Sequence, residues 1–203
     1  VGYMYPQGYF RQRISAEGSQ QEVYEQLNWA DAPIAHARTL DDKPCVVLVP
    51  MEGRSILVQV WEVRLARVRL LLLDTALEQN SPADRELSAR LYGGGQDIRL
   101  QQEIVLGLGG VLTLRALGLT PAVWHLNEGH AAFVVLQRLR DLLASGTDWE
   151  DALAEVRRTT VFTTHTPVRA GHDAFSFELV EQHLAGTWGS MNGHGERFRQ
   201  LGQ

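Results

Sequence analysis

Three of the seven histidines in this chain, His125, His130 and His165, fall in two stretches that each pass from apolar to polar residues, and a fourth, His172, follows just after the second. The first is Trp124-His125-Leu126-Asn127-Glu128-Gly129-His130, and the second is Val161-Phe162-Thr163-Thr164-His165-Thr166-Pro167. Imidazoles, amides, hydroxyls and a carboxylate at such a switch can hold a metal or a polar ligand. For zinc, His125 and His130 are five positions apart rather than four, so they would not share a helical face, and Glu128 does not separate a proper pair. No metal site is expected on that spacing. His125 reads as an inward strand residue, buried and satisfied by a backbone carbonyl. His130 and His165, at loop tips beside Asn127, Glu128, Thr164 and Thr166, read as ligand contacts. Many directional donors and acceptors with one carboxylate suit a sugar, whose hydroxyls need hydrogen bonds and no net charge.

Other chemistries find less support. Hydrolysis by paired carboxylates could use Glu128 with Asp173 or Asp74, but the sequence does not set their separation. No Gly-x-Ser-x-Gly elbow is present. Gly93-Gly94-Gly95 could cradle a phosphate before a helix, yet it follows a helix rather than a strand and reads as a connector. Gly107-x-Gly109-Gly110 lies mid-helix and is no dinucleotide fingerprint. Lys43, the sole lysine, sits on a polar turn and reads as a solvated charge rather than a Schiff-base residue.

The elements that must carry these residues follow from pattern. A turn at Pro6-Gln7-Gly8, a short alternating run Phe10 to Ile14 and a turn at Glu17-Gly18 open the chain. Gln20 to Leu27 is an exposed element of open type. After Asp41-Asp42-Lys43-Pro44, the runs Cys45 to Val49, Ile56 to Val63 and Leu65 to Leu73, with a turn at Pro50 to Gly53, predict a three-stranded meander. Ser81-Pro82 starts a helix. A long helix spans about Asp97 to Gly118, with Ile104, Val105, Leu108, Val111 and Leu112 near helical spacing. Its glycines imply close packing on a neighbour, because each costs roughly 1 kcal/mol against alanine. A strand from Ala122 to Leu126 and a helix from Gly129 to about Ala144 come next. Thr147-x-x-Glu150 reads as a capping box for a helix to Arg158. Then come a strand Val161 to Thr164, a helix Phe177 to about Ala185, and a Gly-rich tail without a core of its own. From Asp97 the order α-β-α-α-β-α is half of a doubly wound α/β sheet, in which ligands bind at the carboxyl edge of the strands. The two polar tips should therefore sit side by side on one edge.

With 44% hydrophobic and 21% charged residues the chain is an ordinary globular sequence rather than a disordered one. A net charge of −5 argues against a nucleic-acid partner. Apolar runs are far shorter than the roughly 20 residues of a membrane helix. One cysteine, Cys45, suits a reducing, cytoplasmic setting. The opening Val1-Gly2-Tyr3 reads as the interior of a longer polypeptide, with no signal peptide.

Five collinear blocks carry a resemblance. They are Tyr5-Pro6-Gln7-Gly8-Tyr9-Phe10-Arg11-Gln12-Arg13-Ile14; Leu91-Tyr92-Gly93-Gly94; Arg99-Leu100-Gln101-Gln102-Glu103-Ile104-Val105-Leu106-Gly107; Val123 to Phe133; and Phe162-Thr163-Thr164-His165-Thr166-Pro167-Val168. Together they resemble α-glucan (glycogen or maltodextrin) phosphorylases of the shorter bacterial type. The resemblance implies an internal segment of the N-terminal, Rossmann-like domain of a GT-B type glycosyltransferase, with an inserted β meander. Residues 1–75 would form a β-rich lobe, 76–190 the α/β portion and 191–203 a tail. It implies pyridoxal phosphate held by a lysine of a C-terminal domain absent here, with the cofactor's phosphate relaying the proton. The reaction it implies is phosphorolysis of a terminal α-1,4-linked glucose to glucose 1-phosphate, so the partners are an α-1,4-glucan and inorganic phosphate. By position, His165 matches the histidine that bonds the 6-hydroxyl of the reacting glucose. Asn127, Glu128 and His130 match an Asn-Asp-x-His segment beside that sugar, with Thr164 and Thr166 flanking His165.

The pattern is broken at Ser19, Gly95 and Arg169, where the family more often has Trp, Asp and Pro. The segment by itself is expected to be inactive. A nucleotide-sugar glucan glycosyltransferase and a non-catalytic glucan-binding module stay open, as do allosteric control and a homo-oligomeric state.

Overall fold

The computed structural model describes residues 1–202 other than 9, 26, 30–31, 91–93, 168–172, 189–190 and 192. The expectations placed on Arg169, His172 and Gly93 lie outside the described residues.

The meander forms as its pattern requires. After β1 (Gly2–Tyr3), the exposed hairpin of β2 (Phe10–Ile14) and β3 (Gln20–Tyr24), and the short β4 (Ala35–His36), the chain enters β5 (Val46–Met51), β6 (Arg54–Leu65) and β7 (Val68–Asp74). β6 is central: β7 pairs one edge antiparallel, β5 and β4 pair the other, and β1 adds to β7 in parallel. The turn expected from Pro50 narrows to Glu52-Gly53, where Gly53 takes φ +70. Pro50 stays in β5, which among the described residues pairs with β6 alone, so its missing N–H breaks no second ladder. Alternation buries Ile56, Val58 and Val60 of β6 with Val47, Val49 and Leu73 of its neighbours.

The α1 turn (Pro82–Arg85) is capped by Ser81, whose hydroxyl accepts the Asp84 N–H at 3.1 Å. α2 (Gln96–Ala116) lays Leu100, Ile104, Val105 and Leu108 into the common core with the sheet. It starts at Gly95, which supplies no side-chain cap, and stops at Gly118 with φ +67. β8 (Trp124–Asn127) leads through a 3₁₀ turn at Gly129–Ala131 into α3 (Val134–Ala144), then α4 (Trp149–Arg158) and β9 (Thr160–Thr163). The α4 cap is Asp148, not Thr147: the Asp148 carboxylate accepts the Asp151 N–H, while the Thr147 N–H closes the end of α3 on the Leu142 carbonyl. The tail after α5 (Phe177–Trp188) is also more than an unpacked extension. Met191 is fully buried in the main core, and Phe198 of α6 (Gly195–Gln200) packs on it. No helix among the described residues is long and apolar enough to cross a membrane.

The α2 glycines divide by what faces them. A Cβ on Gly107 would stand 2.6 Å from Phe133 Cβ and 2.8 Å from the Val134 nitrogen, so this residue lets α2 meet the backbone that opens α3. A Cβ on Gly110 would meet only Val1 at 3.8 Å. Gly110→Ala should therefore hold or raise the melting temperature, through a helix-propensity gain of about 1 kcal/mol. Gly107→Ala should lower it, because neither backbone can yield; matched thermal melts of the two variants check the contrast.

Candidate functional site

β8 and β9 pair in parallel with Asn127 opposite Thr163. The ladder runs one bond further, from the Glu128 N–H to the Thr163 carbonyl at 2.8 Å. Both polar tips therefore leave the strands at the same height, on the carboxyl edge. Arg138 of α3 fixes the other end. It is buried, donates to the Thr159 and Thr160 hydroxyls, and stands 5.0 Å over the Trp124 ring.

Alternation along β8 turns Leu126 inward, against Val111 and Val134, and sends His125 and Asn127 outward. His125 is thus exposed rather than a buried core histidine, and its Nε2 meets the Thr163 hydroxyl at 2.6 Å instead of a carbonyl. The inward position belongs to its neighbour.

At the tip, Asn127 and His165 come together: His165 Nε2 lies 3.1 Å from Asn127 Oδ1, and the ring remains 61% exposed. Glu128 faces the other way. It is 3% exposed, and one carboxylate oxygen accepts both the His165 N–H at 2.8 Å and the Thr166 N–H at 3.0 Å. His165 Nδ1 is 3.4 Å from the same oxygen. The His165 N–H, followed by the Thr166 and Thr164 hydroxyls and the Thr166 N–H, overcomes the burial cost and holds the carboxyl pKa down to about 2. Thr164 and Thr166 thus lie beside Glu128, whose other carboxylate oxygen, Oε2, is buried without a hydrogen-bond partner among the described residues. Glu128 itself sits at φ 59, a left-handed backbone rare for a non-glycine residue.

His130, two residues on, joins a different group. Its Nδ1 lies 3.5 Å from Glu103 Oε1 and 3.8 Å from Asp173 Oδ2, and Arg99 pairs with Asp173. These side chains, except Asp173, line a cavity of about 220 Å³ together with Tyr3, Tyr5 and Gln102. Burial, then the charge and hydrogen bond of Asp173, push the Glu103 carboxyl up to about 8, against the pull of Arg99. Asp173, despite its own burial, is held below the usual range by Arg99. Donor atoms of Glu103, His130 and Asp173 all lie within 4.8 Å of one another, a trio the His125–His130 spacing argument never addressed; Arg99 already supplies it with positive charge. Asp74 is no partner for Glu128. It is buried and accepts from Gln59, Trp61, Ser88 and the Ala76 N–H. Sequence reasoning passed over Glu103 and Arg99 as site residues because their partners lie far along the chain, and an acid on the buried face of a helix was the one available signal.

The opposite shifts of the two acids fix a pH dependence. Folding raises the Glu103 pKa, so between about pH 4.5 and 8 the folded chain holds more protons than the unfolded one, and stability falls as pH rises through that window. Glu103→Gln removes this titration. The melting temperature of the variant should decline less across the window and exceed that of the parent above it; parallel pH profiles from thermal melts would refute the assignment.

No family model matches the chain. Among curated proteins it is 47% identical over 185 residues to maltodextrin phosphorylase of Thermococcus litoralis, covering 91% of this chain and 22% of that protein. It is 39% identical over 182 residues to glycogen phosphorylase of Aquifex aeolicus, covering 90% of this chain and 26% of that protein. It is 41% identical over 191 residues to glycogen phosphorylase of Mycobacterium tuberculosis strain H37Rv, covering 91% of this chain and 22% of that protein. The chain spans about a quarter of the length of these relatives. Over nine-tenths of its own length, it is a homologue of one segment of the α-glucan phosphorylases, the family its five sequence blocks resemble.

Proposed function

We propose that this chain is the sugar-facing part of the N-terminal domain of an α-glucan phosphorylase, which transfers a terminal α-1,4-linked glucose to inorganic phosphate. The observation that carries the reading is the Asn127–His165 pair, exposed at the carboxyl edge of two parallel strands in a chain similar to phosphorylases. Parallel strands with a helical crossover, one helix of which packs on α2, support a Rossmann-like, GT-B type domain for residues 76–190. Residues 1–75 would be its β-rich lobe and 191–203 its tail, of which Met191 and Phe198 pack with the core.

In this reading the residues bind and orient. Asn127 takes the His165 ring through its oxygen and keeps its amide N–H groups for a sugar hydroxyl. The exposed His165 ring contacts the hydroxymethyl end of the reacting glucose. His130, with Arg99, lines the neighbouring cavity. Lys43, the sole lysine, is 76% exposed and paired with Asp41 at 2.6 Å on a surface turn. Pyridoxal phosphate would be held by a lysine elsewhere in the longer protein, and no step here runs through it. A cytoplasmic setting follows from the same reading.

His165→Ala in the full-length protein should lower kcat/KM for maltodextrin phosphorolysis by about a hundredfold or more, because a contact that positions the transition state is lost. Its melting temperature should stay near that of the parent, since the ring is largely exposed. An unaltered rate would remove His165 from the site. The 203-residue chain alone, given maltodextrin and phosphate, should release no glucose 1-phosphate.

A further inference from the structure

We propose that Glu128 is a positioning residue: its carboxylate grips the backbone of His165 and Thr166 and so sets where the His165 ring stands, without touching sugar. This rests on the phosphorylase reading for its kinetic consequence, and on geometry alone for the grip.

Three observations converge. First, a single carboxylate oxygen accepts two successive backbone N–H groups, from His165 at 2.8 Å and Thr166 at 3.0 Å. Two adjacent amides on one anion fix the peptide plane between them, and with it the direction in which the His165 side chain leaves the backbone. Second, the group is out of reach of a ligand. Glu128 is 3% exposed, whereas its neighbour Asn127 and the His165 ring are open to solvent. Its second oxygen, Oε2, is buried without a hydrogen-bond partner among the described residues, so a sugar hydroxyl would reach it only if the tip opened. Third, the backbone is bent to make the contact. Glu128 occupies φ 59 immediately before Gly129, a residue that could adopt such a conformation without strain. An unusual backbone at a non-glycine residue persists where surrounding contacts over-determine it, and here those contacts are the carboxylate's own.

The ionised state suits the task. With its pKa held down to about 2, first by the His165 N–H, the carboxylate stays charged at any pH at which the protein would work. The chain therefore separates two jobs at consecutive residues: Asn127 faces outward and orients the ring through its Nε2, and Glu128 faces inward and orients the backbone beneath it.

Glu128→Ala, Glu128→Gln and Glu128→Asp in the full-length protein test this, with amide hydrogen exchange and steady-state kinetics on maltodextrin and phosphate read together. In Glu128→Ala the His165 and Thr166 amides should exchange roughly ten- to a hundredfold faster, the range set by losing a hydrogen bond to a charged group. The Glu128 amide, bonded to the Thr163 carbonyl in the strand ladder, should keep its protection. Turnover kcat should fall at least about tenfold with KM for maltodextrin little changed. Gln keeps an oxygen for both amides but places an NH₂ where the buried Oε2 has no hydrogen-bond partner, so it should restore both readouts in part. Asp, one methylene short, should fall between. His165 and Thr166 amides that exchange as in the parent would overturn the grip. Faster exchange with unchanged kcat would overturn the positioning role. A raised KM with unchanged exchange would make Glu128 a sugar contact instead. If the parent protein shows no phosphorolysis, the functional reading falls, and the exchange arm still decides the grip. Should the Ala variant fail to fold, the Gln and Asp variants carry the same comparison.

Discussion

The parallel register that sets Asn127 opposite Thr163 is the constraint on which the site depends. A shift of one residue would turn His125 and Asn127 inward and Leu126 into solvent, and would separate the two tips in height. Parallel neighbours cannot be joined by a tight turn, so the register is held by what lies between them, the α3–α4 crossover. That crossover is anchored at both ends. Gly107 lets α2 meet the Phe133–Val134 backbone where α3 begins. Arg138 reaches the Thr159 and Thr160 hydroxyls where β9 begins. Leu136, Leu139 and Leu143 supply the buried face between these anchors. The position of a few polar atoms at the rim thus depends on a missing methyl group on α2, the helix that also brings Arg99 and Glu103 to His130.

Electrostatics then sorts residues that look alike by type. Glu128 and Glu103 are both buried acids, 3% and 7% exposed, yet their carboxyls are driven in opposite directions. Glu128 is met by backbone N–H groups and hydroxyls, all donors, and is held charged. Glu103 is met by a second carboxylate and is held neutral. Burial alone raises both; the sign of the neighbours decides the outcome. The histidines follow the acids. His165 is turned by an amide oxygen and a clamped backbone, whereas His130 faces two carboxylates and the arginine that compensates one of them.

Local chemistry was legible in the sequence wherever one or two adjacent residues decide it. Ser81-Pro82 capped its turn, and the β-branched runs from Val46 to Asp74 formed the meander. The Trp124 and Val161 stretches became neighbouring parallel strands. What escaped depends on distant parts of the chain. The exposure of His125 depends on whether an element covers that face, which alternation does not say. The burial of Met191 reflects a tail that finds the main core only in three dimensions. Asp148 displaced Thr147 as cap because the end of α3 claims the Thr147 N–H. Glu103, His130 and Asp173 are brought together from α2, from the turn after β8 and from ahead of α5, so no spacing rule could pair them.

These separations explain why two adjacent polar groups can share one tip without competing. Glu128 stands between Asn127 and His130 in sequence, and its left-handed backbone turns the chain so that Asn127 faces His165 while His130 faces Glu103. An extended residue there would keep the strand's alternation running and carry the polar groups outward in one row. The bend instead gives the tip two sides, one where Asn127 and the Glu128 carboxylate hold His165, and one where His130 meets Glu103, Asp173 and Arg99. The cavity of about 220 Å³ bordered by Arg99 and His130 opens beside the second. The cost of bending a non-glycine backbone is met by the bonds its carboxylate makes, so the same side chain that creates the division also stabilises it.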